Sequence, residues 1–188
     1  MVHPEGETKA RAYSARVNPT GVSAREKQAR YISAGLDELG CQAIQVTCRG
    51  ERVAELGFSS PSPDPGTWSA GDQLLAREVC EAVIGLIREG TAVPEFPLET
   101  GGTEFDRLVW SAILKVPSGG TVSYSELAGR IGRPGSQRAV ARALGRNPVA
   151  VLVPCHRAIA ADGSLGGYRW GTACKRVLIE AEAGQPRP

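Results

Sequence analysis

Between Ser123 and Pro148 the chain is punctuated so that only two short helices fit. Ser123-Tyr124-Ser125-Glu126 has capping-box spacing, in which a serine and a glutamate three residues later satisfy each other's backbone N–H groups, and it opens a helix to about Ile131. Gly132-Arg133-Pro134-Gly135 breaks that helix, because proline lacks a donor and glycine favours a turn. A second helix starts at once, with Ser136 as its expected cap and Ala139, Val140, Ala143 and Leu144 facing inward. Gly145 and Asn147-Pro148 end it. Two short helices across a tight turn make a helix-turn-helix.

On the second helix Arg138 and Arg142 are four residues apart and share a face, Ala141 is a small neighbour, and Arg146 extends the positive charge beyond the helix end. The net charge of +2 hides a marked asymmetry. Thr121 to Arg176 holds nine Lys or Arg against two acids, Glu126 and Asp162, a charge of +7 that leaves −5 for the remainder. A solvated basic face would look the same, but a positive stripe confined to the C-terminal third also suits a polyanion such as DNA.

The 188 residues suffice for one ordinary domain or two small ones, and 41% apolar content supplies a core. No apolar run approaches the roughly 20 residues of a membrane span, and the first 30 residues lack a signal-peptide centre, so a soluble, cytoplasmic protein without membrane contact is expected. The five cysteines, Cys41, Cys48, Cys80, Cys155 and Cys174, are odd in number, widely spaced and without a Cys-x-x-Cys pair, so reduced thiols are expected. With only His3 and His156 besides, no zinc-ligand spacing exists, and neither metal nor cofactor is implied.

Residues 1–22 read as a flexible arm with too little apolar surface to order. Ser23-Ala24-Arg25-Glu26 has capping-box spacing, and Ala29, Ile32, Leu36 and Leu39 follow at helical intervals before Gly40, so a helix is expected, weakened by Gly35. Ala43 to Cys48 and Arg52 to Phe58 read as a hairpin, and Ser59 to Gly71 as a proline-rich loop. Leu74, Leu75, Val79, Ala82, Val83, Leu86 and Ile87 form one helical stripe; Phe105, Leu108, Val109, Ala112, Ile113 and Val116 form another. The expected fold class is an α/β N-terminal domain, a small antiparallel sheet plus helix over 23–101, followed by a mainly α C-terminal domain with the helix-turn-helix over 102–188.

Val149 to Val153 reads as a short buried strand delivering the chain to Pro154-Cys155-His156-Arg157. Proline fixes the approach to the thiol, and His156 and Arg157 are two potential cations that would favour thiolate, provided a turn brings His156 round. An isolated cysteine is otherwise as readily a small buried apolar residue; the basic helix-turn-helix just upstream favours chemistry.

Val153-Pro154-Cys155-His156-Arg157 resembles the active-site signature of the O6-alkylguanine-DNA alkyltransferases. The blocks Phe105 to Ile113, Thr121 to Ala128, Arg138-Ala139-Val140, Gly145 to Pro148 and Asp162 to Tyr168 follow the family pattern in order, so the resemblance covers about Phe96 to Gly184. It implies a winged-helix-like C-terminal domain and irreversible, stoichiometric transfer of the alkyl group from O6-alkylguanine, and O4-alkylthymine, to Cys155. The base would first be flipped from the minor groove of double-stranded DNA, at a cost of a few kcal/mol.

By position in the matching motifs, Cys155 is the acceptor, His156 takes its proton through a water, Glu182 stands behind that histidine with Glu180 as a competing register, and Asn147 braces the turn. Arg138 would fill the vacated stack, with Ser123, Tyr124, Ala139 and Arg142 also at the DNA. Tyr124, Val153, Tyr168 and Arg169 would line the base pocket. A monomer is implied, with cooperative assembly on DNA left open. Ala150 stands where many members carry a second proline, which bears on the bulk of the alkyl group accepted. The alternative is an alkyltransferase-like module that binds lesions without reacting, although such modules lack the cysteine.

Overall fold

The computed structural model describes residues 28–33, 41, 43–59 and 70–184. Strands β1 (Gln28–Ser33), β2 (Ala43–Arg49) and β3 (Arg52–Ser59) form an antiparallel sheet with β2 in the centre. The hairpin register sets Ile44 opposite Phe58 and Val46 opposite Leu56, and slips once between Thr47 and Cys48. Helix α1 (Ala70–Glu89) crosses β1 and β2. Its Ala76, Val79, Cys80, Val83, Leu86 and Ile87 are buried at the three- and four-residue intervals of one helical face, against Ile44, Val46 and Cys48 of the sheet's core side.

The outer edge of β3 is occupied by two segments from later in the chain. Val53 donates to Pro97 O and accepts from Glu99 N, both at 2.9 Å, while Leu56 donates to Pro148 O and accepts from Ala150 N, both at 2.8 Å. The free edge of β3 is thereby paired at Val53 with residues 97–99 and at Leu56 with the segment that leads to Cys155.

Helix α2 (Glu104–Ile113) begins with a capping box between Thr103 and Asp106, and α3 (Tyr124–Arg130) with the expected box between Ser123 and Glu126. Helix α4 (Gln137–Gly145) buries Val140, Ala143 and Leu144. The Trp110 indole of α2 donates to Ala143 O at 2.9 Å, fixing the crossing of α2 and α4. A two-residue parallel ladder joins β4 (Val122–Ser123) to β5 (Ala158–Ile159), and α5 (Thr172–Glu182) packs on α1. Five α-helices and a small antiparallel sheet thus account for the described residues, and none of these helices is long and apolar enough to cross a membrane.

Several sequence expectations change. Ala29 and Ile32, assigned to a helix, lie on β1, where pairing with β2 supplies hydrogen bonds that a Gly35-weakened helix could not match. Ser23 to Glu26, Leu36, Leu39, the 1–22 arm and most of the 59–71 loop lie outside the described residues. Ser136 does not cap α4; its hydroxyl donates to Arg133 O at 2.6 Å and closes the turn instead. Leu74 and Leu108 belong to the apolar stripes yet are exposed. Cys41 and Cys174, expected reduced, form a disulfide, their Cα atoms 4.6 Å apart across 133 positions of sequence; spacing along the chain carries no sign of it because folding alone brings them together.

Arg146, expected on the basic face, turns back to α2: its guanidinium bonds the Asp106 carboxylate through Nε, at 3.1 and 3.3 Å, and through Nη2. Asp106 is 1% exposed and serves both this pair and the cap of α2. Asp106→Ala should therefore lower unfolding stability by about 2–3 kcal/mol, as a lost cap plus a lost charge-assisted bond, measured as a drop in urea midpoint; a change below about 0.5 kcal/mol would refute the dual role.

Candidate active site

Val149 to Val153 is a tight turn, not the expected strand. Val151 sits at φ 67°, a conformation costly for a β-branched side chain. Asn147, fully buried, provides the compensation: its Oδ1 accepts from Val149 N at 3.0 Å, and its Nδ2 donates to Val153 O at 2.8 Å and to Cys155 Sγ at 3.2 Å. A side chain that bonds nearby backbone offers the chain an alternative to a ladder. Cys155 then opens a single 3-10 turn, Cys155–Arg157, which swings His156 inward as its participation required.

Cys155 is 5% exposed and lines a cavity of about 380 Å³. Tyr124, Tyr168, Arg169 and Trp170 form its walls, and Ala141, Leu144 and Gly145 bring the end of α4 to its rim. Gly166, at φ 63°, lets the loop approach Tyr124: a Cβ there would lie 3.2 Å from that ring.

Electrostatics around the thiol differ from the sequence expectation. Burial pushes the Cys155 thiol above its ordinary value, and the Asn147 bond, the nearby Tyr168 hydroxyl, the Lys175 charge and a backbone N–H pull it back in part. Arg157 is turned away, clamping the Glu182 carboxylate with Nε at 2.8 Å and Nη2 at 2.6 Å and reaching Val116 O with Nη1 at 2.5 Å. His156 Nε2 lies 3.1 Å from Glu182 Oε1. Neither His156 nitrogen has a hydrogen bond of regular geometry, yet Glu182 at this distance still pulls the imidazole toward its charged form. Burial depresses His156 despite the pull of Glu182, keeping the imidazole neutral. Glu182 is held at about 2: burial alone would raise it, but His156 and Arg157 more than compensate.

Glu182 rather than Glu180 is thus the carboxylate behind His156. The resting arrangement is a protonated thiol beside a neutral histidine that can accept a proton. Burial and then the neighbouring Cys155 raise Tyr124 and Tyr168, so both hydroxyls stay protonated donors. The Tyr168 hydroxyl is buried without a hydrogen-bond partner of normal geometry, although it couples to the sulfur electrostatically.

Of the residues singled out by sequence, Tyr124, Cys155, Tyr168 and Arg169 meet in the cavity, while Asn147, His156 and Glu182 support it from behind. Val153 does not line it: the residue is fully buried and its carbonyl already accepts from Asn147 Nδ2 and, at 2.8 Å, from Cys155 N. Ser123 caps α3, Ala139 is half-buried, and Arg138 and Arg142 stand exposed on α4. No group of His, Cys, Asp or Glu among the described residues could hold a metal ion.

Sequence reasoning missed Lys175. It is fully buried, its Nζ donating to Ala158 O at 2.6 Å, to Leu165 O, and to Gly167 O at 3.5 Å, and it lies 3.4 Å from the Tyr124 hydroxyl. Burial lowers it to about 8. The clue was its position three residues before Leu178 and seven before Glu182, on the inward face of α5.

Fold and site define a small protein that presents a positioned, buried thiol next to a basic helix-turn-helix. Residues 104–184 match the family described as 6-O-methylguanine DNA methyltransferase, DNA binding domain. The methylated-DNA--protein-cysteine methyltransferase of Mycobacterium tuberculosis is 46% identical over 135 residues, 70% of this chain and 75% of that protein. The bifunctional transcriptional activator/DNA repair enzyme Ada of Escherichia coli is 39% identical over 131 residues, which span 70% of this chain but only 36% of Ada. The crystal structure of Mycobacterium tuberculosis OGT in complex with DNA superposes with TM-score 0.66 at 31% identity, over 85% of this chain and 94% of that one. The chain belongs to the methylated-DNA--protein-cysteine methyltransferase family.

Lys175→Met keeps the bulk but removes the charge that lowers Cys155. Alkylation of Cys155 by iodoacetamide, mapped by mass spectrometry across pH, should then slow at neutral pH by roughly three- to tenfold and its profile should move to higher pH; an unmoved profile would show that the lysine does not act on the thiol.

Proposed function

We propose that this chain repairs alkylated guanine in DNA by moving the O6-alkyl group, and that of O4-alkylthymine, onto Cys155, each molecule acting once. One observation carries the reading: the Cys155 sulfur, gripped by Asn147, faces a base-sized cavity that opens beside the exposed arginines of α4.

In the reaction the Cys155 sulfur attacks the alkyl carbon in line, an S–C bond forms and the C–O6 bond breaks. The thiol proton passes toward His156, which is neutral and backed by the ionised Glu182, through a water between them. The departing guanine oxygen gains negative charge and is met by the protonated Tyr124 hydroxyl, whose neighbour Lys175 supports donation. A thioether has no readily hydrolysed bond and no neighbouring group to release it, so the transfer is terminal.

Delivery of the base follows from α4. Arg138 and Arg142 share an exposed face suited to duplex DNA, and Ala139 and Ala141 are small enough to let the helix approach the minor groove. Arg138 fills the stack left by the flipped base, Ser123 meets a phosphate, and Tyr168 and Arg169 close over the base. We read residues 23–101 as a scaffold domain, and residues 102–188 as a winged-helix-like domain with the β4–β5 ladder beside the helix-turn-helix. The protein works as a monomer in the cytoplasm.

Intact-protein mass after incubation with a duplex containing O6-methylguanine is the direct test. One methyl per molecule, mapped to Cys155 and absent from Cys155→Ser, is expected. Tight lesion binding with no mass change would make the chain a binding module. Arg138→Ala should reduce affinity for the lesion duplex by about tenfold while undamaged duplex loses much less, because stack filling and phosphate contact are separable; equal losses on both duplexes would remove that assignment.

A further inference from the structure

Trp170 forms the partition between two cavities. One is the space above Cys155; the other, of about 350 Å³, lies over Gln45, Thr47, Glu55 and Gly57 of the sheet. The indole is gripped on several sides. Tyr168 meets it edge-on at 5.2 Å, Phe58 of β3 at 6.2 Å, and the Arg169 guanidinium lies 5.4 Å over its ring.

Its remaining neighbour is a missing side chain. A Cβ built on Gly57 would fall 2.7 Å from Trp170 Nε1, closer than real Cβ atoms come, and 3.1 Å from Cε2 and 3.2 Å from Cζ2, both tight contacts. Gly57 is not among the positive-φ glycines, so backbone conformation does not require glycine here. Glycine in the interior of a paired strand weakens that strand, and close approach by another group is a standard reason for it. Of these two cavities, Gly57 lines the sheet-side one. Anything added there therefore pushes the indole away from the sheet, toward the thiol.

We infer that Gly57 of β3, acting through Trp170, is a specificity-positioning residue: it sets how far the indole intrudes above Cys155 and hence the size of the group that can reach the sulfur. Gly57 lies outside the segment matched to the family's DNA-binding domain, whereas Trp170 lies within it. It gives the N-terminal sheet a direct hold on the chemistry. The inference rests on the reading of Cys155 as an alkyl acceptor, but the size discrimination itself belongs to the cavity and does not need DNA.

The test uses the full chain and two electrophiles, iodoacetamide and its N-benzyl derivative, with modification mapped to Cys155, alongside transfer from O6-methylguanine and O6-benzylguanine duplexes. Gly57→Ala should leave the small reagent and the methyl substrate within about threefold of wild type, yet slow the benzyl partners by about tenfold or more, the scale on which a pocket rejects added bulk. Trp170→Ala should raise the benzyl-to-methyl ratio, and adding Gly57→Ala to it should change that ratio no further. If Gly57→Ala slows small and bulky groups equally, or still shifts the ratio without the indole, the inference is overturned. Discrimination between the two electrophiles with no transfer from either duplex would uphold the partition while defeating the repair function.

Discussion

A single buried amide, that of Asn147, determines where everything else can be. The turn from Val149 to Val153 contains a valine in the left-handed region, which carries a cost of order 1–3 kcal/mol unless its surroundings compensate. Asn147 closes that turn from inside, one oxygen and one nitrogen spanning Val149, Val153 and the Cys155 sulfur. The turn is in turn seated on β3 through Leu56, so the thiol's position is referred to the sheet rather than to a loop. Sites supported this way hold their geometry more tightly than sites carried by loops alone.

The second constraint is that the thiol is buried and flanked by charges that do not simply activate it. Adjacent sequence places His156 and Arg157 beside Cys155, but the 3-10 turn sends both toward Glu182. What remains is a protonated sulfur, a neutral imidazole and one lysine that burial brings down to about 8, so that it still carries its charge at neutral pH. A protonated thiol is a weak nucleophile and becomes a strong one when its proton is taken. Reactivity here depends on the arrangement of partners more than on a permanently low thiol pKa.

How much of this was legible in the sequence varies by the range of the interaction. The box at Ser123, the break at Gly132 to Gly135 and the stripes of α1 and α2 are local, and apart from the exposed Leu74 and Leu108 the chain adopts them as read. The box at Thr103 was overlooked because Asp106 stands where glutamate is the usual signal. Long-range effects were not legible. β1 takes its state from pairing with β2, Arg146 from Asp106 forty residues away, and Cys41 from Cys174. At the site, the Cys155, His156 and Asn147 cluster is compact in sequence and was recoverable. Lys175 and Gly57 matter through what the fold packs against them: helical spacing puts Lys175 on the inward face of α5 but does not name its partners, and an unfilled Cβ position has no local signature.

The bond between Cys41 and Cys174 joins the approach to β2, the central strand of the sheet, to the helix that carries Lys175 and Glu182. Topologically it turns most of the molecule into a closed ring that contains the thiol, the basic helices and the partition over the cavity. A single break in the backbone anywhere between those two residues therefore does not divide the protein. It opens the ring into one branched but still continuous molecule, whose two parts come apart only when the disulfide is reduced.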